Sequence, residues 1–156
     1  MKEIYSIFIA DSNLALLEGL VSIINQEPTF EVVGTACNTA GLSIKAQAPL
    51  PDLILLDVDL TDLTGSGLNG LIEESKIVLL TEHWEQSLIK RIMAKGVMGC
   101  LRKSCDAGEL IYAMNTVLEG KPYFSGFHQK LTDDRKPEND HKGLTNPEVS
   151  STAKPE

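Results

Sequence analysis

Four residues of this chain are of the type and placement needed to handle a phosphoryl group: Asp11, Asp57, Thr81 and Lys103. A carboxylate can attack phosphorus and form an acyl phosphate. Such a transfer needs positioning and charge neutralisation more than acid–base work. Asp11 together with Asp57 offers oxygen ligands to Mg²⁺, with waters completing the shell. Lys103 supplies a point charge for a phosphoryl oxygen, and Thr81 a hydroxyl donor. Each residue also has a plain structural reading. Asp57 could simply end a strand, Asp11 and Ser12 could form a strand end and a helix cap, threonine commonly ends strands, and Lys103 could be solvated. What favours chemistry is that all four fall where strands end.

The strands follow from the apolar pattern. Leu53-Ile54-Leu55-Leu56 is a continuous apolar run between Pro51-Asp52 and Asp57, the mark of a strand buried on both faces. Ile4–Ala10, Phe30–Thr35 (broken by Gly34), Ile77–Leu80 and Val97–Leu101 (interrupted by Gly99) read as further strands. Between them lie helical patterns. Ser12 is placed to cap the first, with Leu14, Leu17, Leu20, Val21 and Ile24 on one face. The others are Thr39–Gln47, a short turn-rich piece ending near Ser75, Trp84–Lys95 closed by Gly96, and a helix from Asp106 to about Glu119 closed by Gly120. Alternating strands and helices with apolar strands imply a parallel sheet covered on both faces. Asp11 follows the first strand, Asp57 ends the third, Thr81 ends the fourth and Lys103 follows the fifth. In a parallel sheet those ends share one edge, where open α/β sheets carry their ligands.

Charge and cysteine usage narrow the partners. The 156 residues carry a formal net charge of −8, so duplex DNA is not drawn to the chain as a whole. Residues 1–128 hold 9 Lys+Arg against 16 Asp+Glu, and residues 129–156 hold 5 against 6, so the acidity belongs to the first part. Three cysteines (Cys37, Cys100, Cys105) without metal-type spacing fit a reducing, cytoplasmic setting better than a disulfide framework. The N-terminus opens on a strand pattern, with no signal peptide and no apolar run long enough to span a membrane.

In Ile9-Ala10-Asp11-Ser12-Asn13 with Glu18-Gly19-Leu20, Glu31-Val32-Val33-Gly34, Pro51 to Asp57, Val78-Leu79-Leu80-Thr81 and Gly96 to Lys103, the chain resembles the receiver domain of two-component response regulators. The likeness is to their NarL/FixJ (LuxR-type) group; Glu109-Leu110 and Gly120-Lys121-Pro122-Tyr123 extend it, and it covers about residues 4–127. The resemblance implies a flavodoxin-like (CheY-like), doubly wound five-stranded parallel sheet in the order 2-1-3-4-5 with helices on both faces. It implies Asp57 as phosphoacceptor, Thr81 as switch hydroxyl and Lys103 as phosphate partner. Mg²⁺ would be held by Asp11, Asp57 and the Asp59 backbone carbonyl. A sensor histidine kinase would be the donor. A homodimer would form through the helix Trp84–Lys95, the strand Val97–Leu101 and the helix that follows, with Ile89, Ile92 and Met93 as apolar candidates.

Three departures stand out. Ser12 replaces the second of two adjacent acids, so Mg²⁺ should bind more weakly and Ser12 is a poor candidate for a ligand. Leu60-Thr61 replaces the usual Met-Pro, although Gly65 keeps its place, and the stretch from Asp57 to Thr81 is shorter by about four residues, roughly one helical turn. Cys100 stands where the family has an aromatic switch residue, and a thiol cannot reproduce a ring that swings between two positions.

Two other readings compete. Asp57-Val58-Asp59-Leu60-Thr61 matches the D-x-D-x-T signature of haloacid-dehalogenase-like phosphatases, but that motif belongs on a first strand. The late acidic pair that family needs could only be Asp133-Asp134, in a polar segment. The other reading is an atypical receiver that docks or dimerises without phosphorylation. The resemblance places a receiver domain at 1–128. Residues 129–156 are polar and cannot bury a core of their own, so they read as a disordered tail. Leu144-Thr145-Asn146-Pro147-Glu148-Val149 faintly resembles the start of a helix-turn-helix domain, yet seven further residues leave no room for a recognition helix, so this chain is expected to bind no nucleic acid itself.

Overall fold

Leu53, Ile54, Leu55 and Leu56 are all fully buried, which requires cover on both faces of their strand. In the computed structural model, which describes residues 3–40, 49–61 and 66–125 apart from the side chains of 66–69, that strand is central. The strands are β1 (Tyr5–Ala10), β2 (Phe30–Ala36), β3 (Leu53–Asp57), β4 (Lys76–Thr81), β5 (Gly99–Arg102) and a short β6 (Tyr123–Phe124). They form one sheet in the order β2-β1-β3-β4-β5-β6, and the first five pair in parallel. The flavodoxin-like order read from the sequence is borne out, with one short edge strand added. The chain divides into two units, Met1–Tyr123 and Phe124–Glu156, and of the second only Phe124 and Ser125 are described. The expected tail, 129–156, and the helix-turn-helix likeness at 144–149 lie outside the described residues.

The helices are α1 (Leu14–Asn25), α2 (Ser66–Glu74), α3 (Gln86–Ala94) and α4 (Ala107–Leu118). The predicted helix Thr39–Gln47 lies outside the described residues except for its first two positions. Ile7, Ile9, Leu53, Leu55, Val78, Leu80 and Leu101 pack with α1 and α4 in one core. Their strand neighbours Phe8, Ile54, Leu56, Ile77, Leu79 and Cys100 are equally buried and point to the opposite face by the two-residue period of a strand. Burying one such aliphatic side chain is worth about 1.5–3 kcal/mol, so the sheet is a stiff platform. Two of the expected dimer candidates belong to this interior. Ile89 and Ile92 are fully buried, and of the three only Met93 is exposed. The helical period places residues three apart on one face, and α3 turns that face inward.

Two glycines answer to close approach. At Gly34 an added Cβ would meet the Phe8 ring at 2.9 Å, beside the register shift between Ile7 and Phe8. This bulge keeps β2 continuous where a break was expected. At Gly99 an added Cβ would lie 3.1 Å from both Val117 and Val78, so the interruption in the strand pattern is where α4 and β4 crowd β5. Gly96 and Gly120, with φ of 94° and 93°, end α3 and α4 as left-handed caps. Asp106 caps α4 by accepting from the Glu109 amide at 2.8 Å. The cap of α1 corrects the sequence reading. Asn13, not Ser12, is its N-cap and accepts from the Leu16 amide at 3.1 Å.

Candidate functional site

The strand registers assemble the site. Ala10 pairs with Leu56, Asp57 with Leu80 and Thr81 with Arg102. Asp11 therefore emerges beside Asp57, and Lys103 one step beyond the Thr81 level. The Lys103 amide donates to the Thr81 carbonyl at 2.8 Å and carries that register past the end of β5.

Asp57 is fully buried and its carboxylate is densely bonded. Oδ2 accepts from the Ser12 amide at 3.1 Å and the Ser12 hydroxyl at 2.8 Å, and lies 3.1 Å from Lys103 Nζ. Oδ1 accepts from the Asp59 amide at 3.0 Å. Burial by itself raises the carboxyl pKa. The Asp59 amide, the two Ser12 donors and the Lys103 ammonium outweigh it and hold the group below its ordinary value of 3.8. Lys103 is the mirror case: burial lowers its pKa, and the bonds and charges of Asp57 and Asp11 reverse this and raise it above 10.5. The site thus sets two carboxyl side chains, Asp57 and Asp11, around one ammonium.

Asp11 is also fully buried. Its Oδ1 accepts from the Asn13 amide at 2.8 Å and from Lys103 Nζ at 3.2 Å. Its Oδ2 lies 3.1 Å from Lys103 Nζ, an ion contact that lacks hydrogen-bond geometry and leaves this buried oxygen without a hydrogen-bond partner. A buried carboxyl oxygen without a hydrogen-bond partner, beside a second carboxylate, suits a hard cation. Mg²⁺ is commonly held by one or two carboxylates with waters filling the remaining positions. Asp11 and Asp57, with the Asp59 carbonyl, fit it, with one carboxylate fewer than the family pattern because Ser12 fills that place. Among the described residues no group of three His, Cys, Asp or Glu side chains forms a metal cluster.

Thr81 is buried at the same edge, but its hydroxyl is engaged away from Asp57. It donates to the His83 carbonyl at 3.1 Å and accepts from the His83 amide at 3.2 Å. The next residue, Trp84, lies under the Arg102 guanidinium at 5.2 Å from the ring centroid, a cation–π contact. Cys100 is fully buried, and burial pushes its thiol up to about 12, so it is an inert filler. Cys105 is pushed up to about 11 by burial and then by Glu109 and Asp106, and is no readier to react.

The sequence brought out Asp11, Asp57, Thr81 and Lys103, and the structure brings Asp11, Asp57 and Lys103 into direct contact. It missed what Ser12 does. The only available signal was that Asn13 is an equally good cap, which frees Ser12 for another partner. The Trp84–Arg102 contact links the loop after β4 to the end of β5 and has no local signature.

A family model described as response regulator receiver domain matches residues 7–115. The chain belongs to that family. The receiver is similar to the DegU transcriptional regulatory protein of Brevibacillus brevis, 30% identical over 130 residues that cover 81% of this chain and 54% of that protein. The receiver therefore spans about half the length of that relative. It shares its fold with a LuxR-family two-component response regulator from Aurantimonas sp. SI85-9A1, with a TM-score of 0.72, 21% identity and coverage of 85% of this chain and 98% of that one. A chain in the complex of the P1 domain of CheA3 with CheY6 from R. sphaeroides matches with a TM-score of 0.66 and 26% identity, over 76% of this chain and 99% of that one. The NarL/LuxR-type resemblance is borne out: this is a receiver domain of phosphorylation-based signal transduction. The haloacid-dehalogenase reading is overturned, since Asp57 ends the third strand of a receiver sheet and Val58 and Asp59 follow it in a short 3-10 turn. Among the described residues no helix is long and apolar enough to cross a membrane.

Proposed function

We propose that Asp57 is the phosphoacceptor of this receiver. The observation that carries this reading is the Lys103 ammonium, 3.1 Å from both Asp57 and Asp11 at the end of a buried strand. A lone pair of the Asp57 carboxylate forms the new O–P bond. The bond from phosphorus to the donor breaks, and its electron pair leaves with the donor, the phosphohistidine nitrogen of a sensor kinase. Lys103 neutralises charge on the transferring group, and the Asp59 amide, now on Oδ1, is placed to follow a phosphoryl oxygen. Bound Mg²⁺ supplies further charge neutralisation at the acidic edge. Water attack on the acyl phosphate returns the resting state, a slow autophosphatase step.

Thr81 reads the result. Its hydroxyl has one hydrogen, now given to the His83 carbonyl. Donating it to a phosphoryl oxygen releases that carbonyl and shifts the turn that carries Trp84. With Cys100 in the aromatic position, Trp84 is the aromatic nearest in sequence to the switch hydroxyl. The responding surface is the face of α3, β5 and α4, where Met93 is exposed, and its partner is a second copy. Residues 129–156 are polar in sequence, the chain itself binds no specific DNA, and it works in the cytoplasm.

The test uses a phosphohistidine donor or acetyl phosphate with intact-mass readout, and beryllofluoride with Trp84 fluorescence. Trp84 is the chain's sole tryptophan. A single phosphoryl addition on the unaltered chain, absent in Asp57→Asn, supports the reading. A fluorescence change that Thr81→Ala removes supports the switch. No addition under any condition would leave a docking module that works without phosphorylation.

A further inference from the structure

We propose that Ser12 is a positioning residue whose hydroxyl competes with a divalent cation for Asp57 Oδ2, leaving Oδ1, the oxygen facing the Asp59 amide, to attack phosphorus. This rests on Asp57 being the phosphoacceptor and adds how its carboxylate is held. A carboxylate presents about four lone-pair sites, two on each oxygen. Oδ2 accepts two hydrogen bonds, from the Ser12 amide and the Ser12 hydroxyl, and lies in ion contact with Lys103 Nζ. Its lone pairs are fully used. Among the described residues Oδ1 meets only the Asp59 amide and keeps one lone pair open. The oxygen with an open lone pair is the nucleophile, and the saturated one is the handle by which β1 holds the carboxylate in orientation.

The arrangement is specific to the residue at position 12. Ser12 is exposed and is spared the cap of α1, which Asn13 supplies. Its backbone amide and hydroxyl reach the same oxygen, so the side chain cannot rotate without losing its bond to Asp57. A hydroxyl that donates here opposes the cation instead of ligating it. The balanced step is unchanged: an Oδ1 lone pair forms the O–P bond, and the P–O bond of an acyl phosphate or the P–N bond of a phosphohistidine breaks with its electron pair on the donor.

A Mg²⁺ titration of the full chain, followed by the backbone amide signals of residues 12 and 59 in NMR with no phosphoryl donor present, decides the point. Ser12→Ala is expected to bind Mg²⁺ about three- to tenfold more tightly than the unaltered chain, the range that loss of one competing hydrogen bond predicts. Ser12→Thr keeps the hydroxyl and is expected to match the unaltered chain. Equal or weaker binding by Ser12→Ala overturns the proposal, because the hydroxyl is then a bystander or a ligand. A crystal structure of the beryllofluoride adduct tests the other half: beryllium on the oxygen facing Asp59, with Ser12 still on its neighbour, supports it, and beryllium on the Ser12-bound oxygen contradicts it. The two readings fail separately. A chain that takes no phosphoryl group or mimic ends the phosphoacceptor reading, while the Mg²⁺ titration still fixes the role of Ser12.

Discussion

The two ends of the β1–β3 pair carry the same hydrogen-bonding unit and put it to different uses. At the N-terminal end, Ser6 donates through its amide at 2.8 Å and its hydroxyl at 3.2 Å to Asp52 Oδ2. At the C-terminal end, Ser12 does the same to Asp57 Oδ2. In the lower unit the bonding is reciprocal, because the Asp52 amide donates back to the Ser6 hydroxyl at 2.9 Å. This ties the strands in the register that pairs Ile7 with Leu53. In the upper unit Lys103 and a second carboxylate, Asp11, are added, and both carboxylates are fully buried. The lower unit fixes the strand pair. The upper one spends the same two donors on a carboxylate held ionised against burial. The serine–aspartate pair at the lower end is a structural element; at the upper end, where the phosphoacceptor is proposed, a cation and a second acid converge on the same pair.

The largest expected effect separates the ends by charge. Lys103→Met leaves Asp11 and Asp57 buried without their shared cation. Breaking a buried pair in this way costs about 3–5 kcal/mol, so urea denaturation at neutral pH should show a loss of about 3 kcal/mol, with phosphoryl transfer abolished. The loss should shrink in acid as one carboxylate protonates. Unchanged stability would mean that Lys103 does not hold the two acids together. Ser6→Ala comes next. It removes the reciprocal hydroxyl bonds at the lower end and should cost about 1–2 kcal/mol, while phosphorylation of Asp57 by acetyl phosphate proceeds at the unaltered rate. A change in that rate would couple the two ends and break the division drawn between them.

Asn13→Ala should cost about 1 kcal/mol through the cap of α1, with the Ser12–Asp57 bonds intact. A larger loss would mean that the cap also holds Ser12 in place. The smallest effect is in pH. The folded pKa of Asp57 lies below 3.8, so its stabilising share is present above that value and is lost as pH falls through the lowered pKa. That of Lys103 lies above 10.5, so its share is present below that value and is lost as pH rises through the raised one. Between these limits the site should leave thermal stability flat. A step in the melting temperature near neutral pH, absent in Asp57→Asn, would contradict this.

Much of the fold could be read from the sequence because buried parallel strands are continuous apolar runs. Leu53–Asp57 has the same bounds in the structure, and Gly96, Asp106 and Gly120 mark helix ends where expected. Asp11, Asp57, Thr81 and Lys103 were legible because strand ends in a parallel sheet share an edge. Three things were not. Whether Ser12 or Asn13 caps α1 depends on a competing partner 45 residues away. The direction of the Thr81 hydroxyl is a choice between two acceptors, which the residue type does not make. That Ile89 and Ile92 face the core follows from how α3 sits on the sheet, and its apolar pattern alone serves equally for a core or a partner face.

Asp57 is the proposed phosphoacceptor, its carboxylate held beside Lys103. The most direct measurement is intact-mass spectrometry of the full chain after incubation with a phosphohistidine donor or acetyl phosphate in Mg²⁺, followed by peptide mapping of the adduct. One labile phosphoryl group on Asp57, lost in Asp57→Asn, is the predicted result; an unmodified chain, or an adduct on any other residue, would contradict it.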